Sequence, residues 1–235
     1  MSVFTSAGIL ILSMLIMAFL QLAPSVFLLF SHYSYGKYSR KNTSNASLFF
    51  ILGAETSTAL IFILLYIAMS SLYIAPAFTD NLLGWLVAGI MIAIGIIFPF
   101  CYFRKGRGTK LFISRRLAKE FNYKAKTVKT RSDAFILGFI SSLPELIFSF
   151  PVYIIAILEI MQIGDLAIIR AILSLCFILI KITPLITIHI TMDRGYNLVN
   201  IQKTRVANKQ FIRFFTSLTY ILIGILIIIF GFFSL

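Results

Sequence analysis

Charged side chains are scarce in this 235-residue chain: 12% of the residues are Asp, Glu, Lys or Arg, and 60% are hydrophobic. Soluble domains carry about 25% charged residues and about 45–50% apolar ones, so this composition excludes an ordinary soluble enzyme. It also excludes intrinsic disorder, because disordered chains have low hydrophobicity. Among the charged residues the acidic ones are the fewer, since 8 Asp and Glu stand against 21 Lys and Arg, for a net charge of +13.

Cysteine is nearly absent, which excludes several kinds of site. Cys101 and Cys176 lie far apart in apolar runs, so no zinc ribbon, Cys-x-x-Cys pair or disulfide framework can form. The sequence has no Gly-rich phosphate loop, HExxH motif or catalytic triad pattern. His189 and Asp193 are spaced to share a metal on one helix face, but histidine near a membrane interface is the commoner explanation. We therefore expect a protein that is not an enzyme and has no metal and no cofactor.

Long apolar runs take the place of such motifs. A spanning helix needs about 20 predominantly apolar residues, and six stretches are long enough: 3–30, 46–69, 82–103, 134–158, 166–190 and 214–235. The first has no basic segment before it and no small-residue cleavage site after it, so we interpret it as a retained helix and not as a signal peptide. The predicted fold class is an all-α polytopic membrane protein with six transmembrane helices.

The basic residues predict the orientation of these helices. Nineteen of the 21 lie in segments 31–45, 104–133 and 191–213, whereas the other connections carry none. The positive-inside rule then places these three segments in the cytoplasm and both termini outside. The expected location is the cell (plasma or inner) membrane, in a multi-pass arrangement. Anionic lipid headgroups account for the positive charge, so we expect no nucleic-acid partner.

The topology divides the chain into three parts. Residues 1–103 form a first three-helix unit, 104–133 a basic cytoplasmic loop, and 134–235 a second three-helix unit. Within the loop, apolar side chains recur at i, i+4 and i+8 with basic residues between them, at Ile113, Leu117 and Phe121. This spacing is typical of an amphipathic helix on a membrane surface. A plain solvated loop is the alternative.

Similarity between the two units predicts an inverted-topology repeat, because the first unit begins outside the membrane and the second begins inside. Residues 18–33 align without gaps on 138–153, and the alignment matches Pro24 with Pro144. The other identities in it are Phe19 with Phe139, Phe30 with Phe150 and Tyr33 with Tyr153. The third and sixth runs share a similar tetrapeptide, Gly89-Ile-Met-Ile and Gly224-Ile-Leu-Ile.

Proline removes a backbone donor and opens the hydrogen-bond ladder of a helix. We therefore expect broken helices at Pro24 and Pro144. Pro151 and Pro184 are further candidates for hinges in the fourth and fifth runs.

On these features the chain resembles the lysine-exporter superfamily, which includes cation exporters and the thiol-disulfide transmembrane reductases of the cytochrome c biogenesis type. The resemblance implies alternating-access transport near the membrane midplane, with Pro24 and Pro144 on the moving helices. In the reductase branch a cysteine follows each of these prolines. Ser25 and Glu145 stand at those positions here, so the thiol relay is the least expected of the family's activities.

Ionisable residues inside the apolar runs are the strongest sign of a site, because a carboxylate at the bilayer centre costs about 2.5–3.5 kcal/mol on insertion scales. Glu145 is near the middle of the fourth run, with no base expected at its depth. Glu55 and Lys181 lie at similar depths in the second and fifth runs, which predicts an ion pair with either a structural or a functional role. Ser25 is at the mirror position of Glu145.

We expect from these residues a transporter of a small solute or ion. Glu145 would be the coupling acid, Glu55 and Lys181 a gate or substrate contact, and Ser25 the remaining polar group of the centre. A membrane scaffold or partner subunit, in which the charged residues are assembly contacts, is the alternative, and a thiol-disulfide relay protein is a third. The expected partners are the lipid bilayer, its anionic headgroups and a small solute or ion, and a homo-oligomer is compatible with the sequence.

Overall fold

The computed structural model describes residues 3–19, 40–73, 82–102, 115–163, 166–194 and 209–232. The helices in these residues are α1 Val3–Phe19, α2 Arg40–Tyr73, α3 Leu82–Tyr102, α4 Arg115–Thr127, α5 Arg131–Ser142, α6 Leu146–Ile163, α7 Ala167–Asp193 and α8 Lys209–Phe232. A 3₁₀ turn, Leu143–Glu145, joins α5 to α6. These residues contain no strand, so the predicted all-α class is confirmed for the described part of the chain.

Two helices are long and apolar enough to cross a membrane: the segment Ser44–Ser71 of α2, and all of α7. The bent pair α5 and α6 adds a third crossing if the two halves form one span. The apolar parts of the remaining long helices are shorter, at Phe4–Ala18, Gly84–Ile97 and Phe214–Phe230. Within the described ranges the structure therefore has two or three candidate spans, where the sequence predicts six.

Helix α6 is the centre of the bundle. Its side chains are buried without interruption from Pro151 to Ile157, and it packs against α1, α2, α3 and α7. A helix that is apolar on every face belongs inside a larger bundle. The main hydrophobic core forms around it and includes Ile9, Met17, Phe62, Met91, Tyr153, Phe177, Tyr220 and Ile223.

Glycines allow α2 and α5 to cross in direct backbone contact. A β-carbon at Gly53 would overlap the carbonyl oxygen of Phe135, and a β-carbon at Gly138 would overlap that of Phe50. The contact is reciprocal because both helices carry the same tetrapeptide, Phe-Ile-Leu-Gly. Small residues let helices approach this closely in a bilayer. The crossing holds α5, and with it the start of α6, against α2.

A second close crossing joins α3 to α8. A β-carbon at Gly95 would lie 2.6 Å from Ile221 Cγ1, and one at Gly224 would lie 2.6 Å from Ile92 Cγ1. Both helices carry Ile-x-Ile-Gly-Ile at this point. The sequence comparison matches Gly224 with Gly89, but the structure places Gly95 opposite Gly224. The two crossings pair the second run with the fourth and the third with the sixth.

Helix α4 lies in the basic segment between the two units. Phe121 and Ala125 of α4, with Val128 just after it, are buried in a second hydrophobic core against side chains such as Ile51 and Leu185. The apolar face of α4 therefore covers protein at the basic end of the bundle. The remaining positions of the predicted amphipathic pattern are outside the described side chains, as are Pro24 and Ser25.

The glycine crossing predicts a sharp difference between glycine positions. Gly53→Ala or Gly138→Ala places a methyl group on a backbone carbonyl, and overpacking of this kind costs about 1–3 kcal/mol or more. We expect a clear drop in the thermal unfolding midpoint of the purified protein. Gly89→Ala is the matched control, because nothing lies within 4 Å of its β-carbon. Equal midpoints for all three variants would contradict the close crossing.

Candidate functional site

The chain turns sharply just before α6. The axes of Arg131–Glu145 and Phe148–Ile163 differ by 84°, and the turn between them contains Pro144. Because proline has no N–H group, Pro144 cannot continue the hydrogen-bond ladder of α5. The turn ends on Glu145, which is 5% exposed. By contrast, α6 continues through Pro151 and α7 through Pro184.

Lys181 of α7 brings a positive charge to this turn. Its Nζ lies 3.7 Å from Glu145 Oε2, and the two side chains are 6% and 4% exposed. The same nitrogen donates hydrogen bonds to Thr58 Oγ1 at 2.8 Å and to Tyr153 Oη at 2.9 Å. An ammonium group has three N–H donors, and here they meet groups from α2, from α6 and from the turn. We call these four residues the central polar cluster.

Two aromatic rings, those of Phe62 and Phe177, lie beside the central polar cluster and pack against its tyrosine, Tyr153. The centroids of Phe62 and Phe177 are 5.3 Å apart, and Tyr153 meets Phe177 edge-on at 5.9 Å. The Nζ of Lys181 lies 5.6 Å from the centre of the Tyr153 ring, and because it is bonded to the hydroxyl group of that ring it lies at the edge of the ring and not over its face. All three rings are buried, so this side of the cluster is apolar, and electrostatic interactions are stronger in such surroundings than in water.

The structure pairs Lys181 with Glu145, whereas the sequence predicts a pair with Glu55. The physical reason is the bend before α6, which changes the position of Glu145 relative to that on a straight helix. Glu55 lies three residues before Thr58 on α2 and is half-buried. Its Oε1 is buried without a hydrogen-bond partner in the described part of the chain, and its charge acts on Lys181. Two carboxylates therefore act on one ammonium group.

Several hydroxyl groups near the break donate hydrogen bonds to backbone carbonyl oxygens. Thr58 Oγ1 donates to the carbonyl oxygen of Ala54 at 3.0 Å, and Ser142 Oγ donates to the same oxygen at 3.3 Å. Ser149 Oγ donates to the carbonyl oxygen of Glu145 at 2.9 Å. The hydroxyl of Ser57 is buried without a hydrogen-bond partner among the described residues. Chemically, the site can hold one further positive charge close to Glu55 and Glu145.

Glu159 is a buried acid that the sequence interpretation misses. The sequence places it in the connection after the fourth run, but α6 extends to Ile163 and leaves Glu159 4% exposed. Its Oε2 is buried with no hydrogen-bond partner in the described residues. The signal that could have revealed it is the apolar character of the residues around it, Leu158, Ile160 and Met161.

His189, which is spaced to share a metal with Asp193 on one helix face, contacts a serine side chain. His189 Nδ1 lies 2.7 Å from Ser47 Oγ, near the basic end of the bundle. Among the described residues no group of three or more His, Cys, Asp and Glu could hold a metal. Cys176 is an exposed free cysteine on α7, and the side chain of Cys101 lies outside the described part.

No protein-family model, curated protein or solved structure matches the chain. The resemblance to the lysine-exporter superfamily therefore stays a prediction from the sequence, and the functional argument depends on the geometry of the central polar cluster.

The buried pair predicts non-additive effects on stability. Removing one partner of a buried ion pair costs about 3–5 kcal/mol, because it leaves a charge uncompensated. We expect Glu145→Gln and Lys181→Met each to lower the free energy of unfolding strongly, with the larger loss for Lys181→Met because two carboxylates then face each other. The double variant should lose much less than the sum of the two.

Chemical unfolding of the purified variants measures this cycle. Glu120→Gln, which removes the exposed partner of Lys124, is the control and should change stability by less than about 1 kcal/mol. Additive losses in the double variant would show that Glu145 and Lys181 do not interact.

Proposed function

We propose that the protein is a multi-pass membrane transporter of a small solute or ion, which works by alternating access around the central polar cluster. The observation that carries this proposal is the position of the buried Glu145–Lys181 pair at the 84° break before α6. A buried ion pair is weak as a source of stability, since apolar side chains of similar volume often do as well or better. The free-energy cost of burying these two charges is explained if they bind the transported solute or ion or take part in its movement.

Broken helices support this proposal for a second reason. Transporters place their substrate and coupling-ion sites where helices are interrupted near the midplane, because half-helix ends offer backbone groups and partial charges to the ligand. Here Glu145 stands just before the N-terminus of α6, where the helix dipole favours negative charge. A solute with a positive group could take the place of Lys181 at this point.

The second carboxylate that acts on Lys181, that of Glu55, suggests how the binding of a proton or cation would be coupled to a movement of the helices. When Glu145 binds a proton, Lys181 loses its ionic partner and Glu55 becomes the nearest remaining carboxylate known to act on it. The shift of Lys181 towards Glu55 moves α7 relative to α6. In this scheme Glu145 is the coupling acid, as the sequence predicts, and Glu55 is the alternative partner that holds the second state.

The orientation with six spans, both termini outside and α4 in the cytoplasm is part of the same proposal, and its support is the distribution of basic residues. Exposed positions at opposite ends of the bundle test it. In a background with Cys101 and Cys176 replaced by serine, Tyr123→Cys on α4 should react with a membrane-impermeant thiol reagent only after cells are permeabilised. Leu166→Cys, just before α7, should react in intact cells. These side chains are 69% and 64% exposed, and the reverse result would invert the topology.

Water access to the cluster tests the transport proposal without knowledge of the solute. In the same background, Ser57→Cys and Ser142→Cys place thiols beside the cluster at buried positions. We expect both to react with the impermeant reagent in membranes, since alternating access opens the site to water. Ser13→Cys is the control, because Ser13 is equally buried on α1 and bonds within its own helix, so it should stay unreactive.

Absence of labelling at positions 57 and 142 in folded protein would mean a permanently dry centre. The proposal would then give way to a membrane scaffold, in which the exposed apolar face of α7 contacts lipid or a partner. That face includes Ile168, Ile172, Leu175 and Leu179.

A further inference from the structure

A second buried carboxylate lies at the far end of α6 and is not part of the central polar cluster. Glu159 follows Glu145 by 14 residues, about 21 Å along a helix, and is 4% exposed. The absence of a hydrogen-bond partner for its Oε2 in the described residues makes an ionised form costly there. A positive charge must therefore neutralise Glu159, or a proton must bind it.

The helices packed against α6 bring little charge to this end. The described residues of α1 have no Asp, Glu, Lys, Arg or His, and those of α3 have their titratable groups, Cys101 and Tyr102, at the opposite end. Helix α2 brings Tyr66 and α7 brings Arg170, and neither is among the groups that act on the Glu159 carboxylate. The charge that does act on it is the N-terminal ammonium group, which lies outside the described residues, and its effect is smaller than that of burial. Glu55, Glu145 and Lys181 belong to the other end of α6.

Ser6 of α1 connects this carboxylate to the surface. The Ser6 side chain is 2% exposed, and its hydroxyl acts on the Glu159 carboxylate as a hydrogen-bonding group. The same hydroxyl is placed to donate to Gln162 Oε1 at 3.4 Å, and Gln162 is exposed; with one proton, the hydroxyl donates to one of these two acceptors at a time. A hydroxyl group both donates and accepts hydrogen bonds, so Ser6 can pass a proton between the surface and the acid.

We infer that Glu159 is a proton-binding site, which exchanges its proton through Ser6 with water at the end of the bundle remote from α4. In this exchange a water molecule beside Gln162 gives a proton to Ser6 Oγ while the proton of Ser6 passes to Glu159. The products are a neutral carboxylic acid and a hydroxide ion that stays in the bulk water, and the reverse transfer restores the carboxylate. This site does not depend on the proposed transport.

A proton fits this site better than a metal ion. Hard cations take about six or more oxygen ligands, and the side-chain oxygens that the described residues place here come from Glu159, Ser6 and Gln162. The buried Oε2 has no hydrogen-bond partner among the described residues that could complete a coordination shell, whereas a proton needs no further ligands.

Infrared spectroscopy of the full-length purified protein in lipid tests the inference. The probe is the carbonyl stretch of protonated carboxyl groups, followed during an alkaline titration. We expect Glu159→Gln to remove one carboxyl group from this band, and Glu145→Gln is compared separately. If Glu159→Gln does not fold, Glu159→Asp should move the band instead of removing it.

The route is tested by the shift of the same band on transfer to D₂O. Ser6→Ala should keep the band but slow its exchange by about tenfold or more, because a positioned proton-transfer group contributes about 10²–10⁴-fold in rate. Ser13→Ala, which removes a buried hydroxyl seven residues further along α1, should exchange like the unchanged protein.

A full band in folded Glu159→Gln would overturn the site, because it means that Glu159 is ionised and balanced by a group elsewhere. Loss of the band on adding NaCl would assign a metal cation instead, and unchanged exchange in Ser6→Ala would overturn the route.

Discussion

The need to satisfy one buried ammonium group organises the interior of this protein. Lys181 lies inside an apolar bundle, where an unpaired charge costs far more than it does in water. Its partners come from three other places in the chain: Thr58 from α2, Tyr153 from α6 and Glu145 from the turn before α6. The relative positions of α2, α6 and α7 are consequently linked through a single nitrogen atom, and a change in any partner is felt by all three helices.

The glycine crossing and the central polar cluster share the same stretch of α2. Gly53 touches the backbone of α5, and the next residue, Ala54, accepts hydrogen bonds from both Ser142 and Thr58 through its carbonyl oxygen. Thr58 then accepts from Lys181. Close packing of two backbones therefore fixes the position of a hydroxyl group that solvates a charge. A shift of α5 along α2 would disturb the cluster directly, because packed interfaces of this kind do not deform continuously.

Composition and periodicity predict the helical class of the described residues, because long apolar runs with few charges leave the chain little alternative. The partner of Glu145 could not be predicted in the same way, since depth along a straight helix ignores the turn at Pro144. Glu159 is missed because a glutamate reads as the end of an apolar run, although α6 continues past it. The repeated Phe-Ile-Leu-Gly is visible in the sequence, but its meaning depends on knowing that the two copies touch.

The break before α6 also sets the direction of the central helix. The axis changes by 84° at the turn, and α6 has Glu145 just before its first residue and Glu159 near its last turn. A proton that binds at Glu159 can influence the central polar cluster only if α6 shifts as a unit, since the carboxylates are about 21 Å apart. By linkage, any such influence is reciprocal. In the proposed transport mechanism, a solute that displaces Lys181 would then alter proton binding at the far end of α6 through a shift of that helix.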